Sequence, residues 1–261
     1  MNRLLILLLI FTLGSSSFIN KEEKNNTVEN KIAQVLSQTE IIESVLNQLK
    51  IKKTDCKTEF IIIKKTPNND TESIIVIPEL VSEDEHYFEL NSHILIIDNK
   101  TGKIKNRFFE SSQTNEWVSD AIRMVEVSID TAPYVVQKGK RAFGIKVRYL
   151  GSSKPNPYGK ETISLFIKNK NKLSRVLKNF EINGNSGEWD ANCAGEFNTV
   201  KKTLIISDNI TNGYYNIIVK NKISNSKTFI NKQGDCDEKE EIQIIKTILK
   251  FENNEYKEDV L

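Results

Sequence analysis

Hydrophobic positions change their period twice along the chain. Leu4 to Leu13 is an apolar run behind the positive Met1-Asn2-Arg3, and Gly14-Ser15-Ser16-Ser17 follows with small residues. A stable helical anchor needs about 20 apolar residues to cross roughly 30 Å of hydrocarbon, so this shorter run predicts a secretory signal peptide over 1–17. No cysteine follows it, which argues against a lipid anchor there. Residues 18–30 are polar and read as a flexible leader. Over 31–50, Ile32, Leu36, Ile42, Val45, Leu46 and Leu49 recur three to four apart, the period of an amphipathic helix. Its polar face mixes Glu, Gln, Ser and Lys, so packing on the domain behind it is expected in preference to a membrane surface.

From 51 to 261 the pattern shortens to strands separated by turn residues, one β-rich domain. Cys56-x-x-Glu59-Phe60 and Cys193-x-x-Glu196-Phe197 share a spacing. Ile61-Ile62-Ile63 precedes Ile74-Ile75-Val76 by thirteen residues, as Leu204-Ile205-Ile206 precedes Ile217-Ile218-Val219. Val125 to Ile129 and Phe143 to Val147 form a looser copy. Second hairpins with Asn-containing turns are expected over Ile94–Ile104, Ser164–Leu173 and Thr247–Tyr256, because Asn, Asp and Gly tolerate the positive φ of tight turns. Asn115-Glu116-Trp117 and Gly187-Glu188-Trp189 place both tryptophans at matching points. The expectation is an all-β fold of three repeats (56–110, 120–181 and 193–258), each a four-stranded antiparallel unit, preceded by the helix. Propeller-blade-like sheets or a three-fold β arrangement would suit them, with a β-sandwich as the alternative. Ile97-Asp98-Asn99-Lys100-Thr101-Gly102-Lys103 resembles the strand-turn-strand of many propeller blades, which implies a turn and no function.

Charge changes the picture by subtraction. Lys and Arg number 37 against 35 Asp and Glu, so no basic field predicts a nucleic-acid partner. Apart from the leader run, no stretch is apolar and long enough to span a bilayer as a helix, so the mature chain is not expected to be integral to a membrane. The chain holds 3 cysteines, which allows one internal disulfide in an exported protein. Hairpin geometry favours Cys193–Cys236; Cys56–Cys193, at equivalent repeat positions, is the rival.

Candidate chemistry is sparse. G-x-S-x-G, P-loop, G-x-G-x-x-G and H-E-x-x-H patterns are absent. Glu188 and Asp190 beside Trp189 could serve as the paired carboxylates of a glycosidase, though acids in β-loops more often cap turns. His86 and His93 sit among acids, where an exposed acidic loop outweighs a zinc site. Asp235, Asp237, Glu238, Glu240 and Glu241 lack the spacing of a calcium loop. Neither metal nor cofactor is therefore expected. Trp117, Trp189, Tyr158 and Asn156, the last two in the loop-like stretch 151–159, are the expected binding residues. The function expected is an exported (periplasmic or secreted) non-catalytic protein that binds an extracytoplasmic protein or a glycan. The alternatives are a carboxylate-dependent glycan hydrolase and an envelope structural or assembly protein that docks through its N-terminal helix.

Overall fold

A computed structural model describes residues 36–259; the signal segment 1–17, the leader 18–30 and the start of the expected helix lie outside the described residues. Helix α1 spans Gln38–Leu49. It begins there because Ser37 forms a capping box: its hydroxyl accepts from the Glu40 N–H at 3.3 Å, and its own N–H reaches the Glu40 carboxylate at 2.8 Å. Lys50, left-handed at φ 61°, ends it. Ile41, Val45 and Leu46 are buried against Ile75, Ile77, Leu95 and Ile97, so the apolar face is covered by the domain behind it. That leaves this face unavailable as the docking element of an assembly protein.

Thirteen strands follow in one open, almost wholly antiparallel sheet. They are β1 Ile62–Thr66, β2 Asn69–Asp84, β3 Tyr87–Asp98, β4 Ile104–Glu110, β5 Val118–Ser119, β6 Ile122–Gln137, β7 Lys140–Gly151, β8 Tyr158–Asn169, β9 Lys172–Trp189, β10 Gly195–Thr211, β11 Tyr214–Ile230, β12 Cys236–Glu252 and β13 Glu255–Glu258. A one-turn helix α2, Ser112–Asn115, precedes β5. The class is all-β with one N-terminal helix, as the alternation predicts.

Strands β1 to β4 form one meander and β6 to β13 another. A single parallel bridge, Arg107 to Lys172, joins β4 to β9. The recurring apolar segments are paired strands: Ile62 faces Val76, Leu204 faces Val219, and Val127 and Ile129 face Val147 and Ile145. Each expected Asn-containing turn closes a hairpin, with Asn253 and Asn254 both at positive φ between β12 and β13. The strands join edge to edge in one sheet, and this order does not establish a threefold repeat, blades or a closed propeller. The two tryptophan segments are also unlike: one follows α2 into β5, the other ends β9.

Three apolar clusters hold the fold. One lies between α1 and the first meander. A second joins Ile74, Val76, Leu90 and Ile94 to Val127, Phe143, Ile145, Val147 and Phe166. A third unites Ile163, Leu165, Ile167 and Val176 with Ile217, Val219, Leu249 and Phe251. Strand β2 thus gives alternate residues to two clusters, which is why Ile74 to Ile77 is a continuous apolar run. Far from these clusters, β10, β11 and β12 continue as a sheet with few buried residues on either face. Among the described residues no helix is long and apolar enough to cross a membrane.

Candidate functional site

The outer end of β9 to β12 carries a groove of about 760 Å³. Antiparallel partners share a face of the sheet, so the register assigns its lining. Ser186 faces Asn198, which faces Asn225, which faces Glu241. One step outward, Glu188 faces Glu196, which faces Lys227, which faces Lys239. Asn198 donates from its amide to the Asn225 carboxamide oxygen at 2.7 Å. Lys227 donates to Glu196 at 2.6 Å and Lys239 to Glu241 at 2.8 Å. Each ammonium holds its partner carboxyl below the ordinary carboxylate range. The like-charged Glu188–Glu196 pairing is therefore offset by Lys227 on the next strand.

Side chains of the other parity lie on the opposite face of the sheet, although Gly187, Phe197 and Ser226 also border the groove. Trp189 faces Gly195, and Gly187 faces Phe197. A Cβ at Gly187 would lie 2.5 Å from the Phe197 ring, and one at Gly195 would lie 2.9 Å from it. Phe197 thus occupies the space over both glycines. This back face is built by aromatic cover of small residues, as edge glycines often are.

The expected site residues are divided by this geometry. Tyr158 faces Ser186 and so stands on the groove side, 37% exposed. It also borders a smaller pocket of about 240 Å³ with Tyr149, Lys160, Asn179 and Glu116. Asn156 is exposed in the neighbouring loop, where its N–H donates to the Ser153 hydroxyl at 3.1 Å. Trp189 is half-buried on the opposite face, its N–H bonded to the Pro155 carbonyl at 2.8 Å. Trp117 does not belong to any exposed face. It is 4% exposed within the second cluster. Asn115 places it there: the buried carboxamide donates to the Leu90 carbonyl at 2.8 Å and accepts the Trp117 N–H at 2.8 Å.

Of the two candidate catalytic acids, Glu188 lies in the groove, but Asp190 caps the β9–β10 turn. Its carboxylate accepts from the Asn192 N–H at 2.8 Å and the Cys193 N–H at 2.9 Å, and these bonds hold it below the ordinary Asp range. A group so engaged is a turn cap and not a poised acid.

Cys193 and Cys236 lie at disulfide-bonding distance, Cα to Cα 5.7 Å, and tie the start of β10 to the start of β12 beside the groove. Cys56 is free and buried. His93 is not in an exposed loop: it is buried in β3, its Nε2 3.0 Å from the Glu79 carboxylate, with Phe109 packed on the ring. His86 is exposed at the β2–β3 turn. Among the described residues no group of His, Cys, Asp and Glu is arranged to hold a metal ion.

The groove's carboxamides and lysines escaped the sequence reading. The available signal was the stretch Glu196 to Lys202 and Asn221 to Lys227, where only Phe197, Val200 and Ile223 are apolar, too few to mark a core behind either face. No family model, curated protein or solved structure matches this chain.

Proposed function

We propose that this is an exported, non-catalytic β-protein that binds a polar extracytoplasmic partner in the groove of β9 to β12, with a glycan favoured over a protein. The observation that carries the reading is the groove's chemistry. Asn198, Asn225 and Ser186 present amides and a hydroxyl between compensated ion pairs, Phe197 adds an aromatic ring to the lining, and Tyr158 lies beside Ser186 on the next strand. Sugars are recognised by such donor and acceptor arrays with an aromatic wall, because each hydroxyl both gives and accepts. Export is supported by the charged, apolar and small-residue order of residues 1–17 and by a cysteine pair suited to an oxidising compartment. Nothing in the geometry favours the hydrolase, since Asp190 is spent on its turn.

The test is a glycan array, with immobilised envelope proteins alongside, probed with the chain and with Asn198→Ala/Asn225→Ala and Tyr158→Ala variants. Loss of a glycan signal in both variants, with unchanged circular dichroism, supports the site. A signal indifferent to both would discard the groove, and a protein partner in place of a glycan would overturn the choice of ligand class.

A further inference from the structure

Strand β12 is a sheet edge for most of its length. It pairs with β11 from Cys236 to Leu249 without a register shift, but with β13 only over Leu249–Glu252. The Ile248 carbonyl accepts from the Asp259 N–H, so the Ile248 peptide groups point away from β11. Peptide groups alternate in direction along a strand. Lys246, Ile244, Ile242 and Glu240 therefore also aim N–H and C=O outward, and among the described residues no strand pairs with them. Ile242 is 53% and Ile244 56% exposed on the same sheet face. Natural sheets usually blunt such an edge with charge or proline. Here the charges gather at Asp237 to Glu241 and leave the isoleucines beyond them uncovered.

We propose that a second copy of this chain covers this edge, through antiparallel β12–β12 pairing about a two-fold axis at Gln243. The outward peptide direction of the even-numbered residues requires that they pair with one another. Centring the axis on Gln243 sets Ile242 opposite the partner's Ile244 and Glu240 opposite the partner's Lys246. Two-fold symmetry repeats both contacts. Moving the centre by one residue breaks the match: an axis at Ile244 sets Ile242 against the partner's Lys246, and one at Ile242 sets Glu240 against the partner's Ile244. The chosen register forms about eight interchain backbone hydrogen bonds, since each outward-facing pair exchanges two. It joins the two sheets into one, and it does not depend on what the groove binds.

The test is the mass in solution of the chain and of charge variants, measured by light scattering across a wide concentration range. The parent is expected at twice the mass of one chain. Glu240→Lys alone and Lys246→Glu alone are expected as monomers, because each sets like charges opposite across both ends of the joint. The two variants mixed are expected to associate, and the double variant Glu240→Lys/Lys246→Glu is expected to return to a dimer. Lys246 faces Lys220 within the chain, so reversing its charge does not threaten folding. A parent that stays monomeric throughout overturns the proposal. So does a dimer indifferent to both single reversals, or an edge whose amides are protected from exchange only by a different protein.

Discussion

Removing the Cys193–Cys236 bridge should cost this protein several kcal/mol without altering its fold. The cysteines are separated by 43 residues, and a cross-link closing a loop of that size restricts the unfolded chain by about 4 kcal/mol. The bridge spans the part of the sheet with the fewest buried side chains, so little local packing replaces it. At a urea slope of about 2–3 kcal/mol/M, the loss moves the unfolding midpoint down by about 1–2 M. The first readout is a thiol titration in denaturant: the oxidised chain should yield one reactive thiol, Cys56, and the reduced chain all 3. In the folded chain Cys56 should stay silent, since burial, reinforced by Glu79 and Asp55, pushes its pKa up to about 11. The second readout is urea unfolding of the chain against Cys193→Ser/Cys236→Ser. Three thiols in the unreduced protein, or a midpoint that does not move when the bridge is removed, would refute the reasoning.

Other measurements reach other parts of the fold. Burial lowers His93 below its ordinary 6.5, and the neighbouring Glu79 carboxylate only partly opposes it. The unfolded state then binds the proton more readily, so stability should fall as pH drops below about 6.5, and His93→Gln should flatten that slope in urea melts between pH 5 and 7. Gly102 sits at φ +65°, where a Cβ would come 2.8 Å from the Ser44 hydroxyl of α1. Gly102→Ala should therefore cost about 1–2 kcal/mol by thermal melting, more than the strain of a left-handed turn alone. Trp117 is buried and Trp189 half-buried. Trp189→Phe should leave blue-shifted emission that acrylamide barely quenches, whereas a red, quenchable residual signal would contradict the placement of Trp117.

How far the sequence carried depends on which features are local. Hairpins were legible because strand spacing and register are the same quantity: Leu204 and Val219 are partners, and a turn of Asn212 and Gly213, both at positive φ, closes the strands between them. The cap of α1 is equally local, since Ser37 and Glu40 stand in the sequence as a capping box. The division of the site was also legible in principle. Glu188 and Trp189 are adjacent on a strand, so they must face opposite sides, and an aromatic-plus-acid site built from that pair is excluded by period two alone. The fate of Trp117 was not legible, because it turns on Asn115 reaching Leu90 from 25 residues away. Nor was the groove, whose lining comes from four strands set side by side by the registers of long hairpins. What can be read locally is whether a strand has a core behind it. Strands β10 to β12 lack one at their outer ends, and a protein that builds backbone there without burying it has left both a face and an edge to be covered by something else.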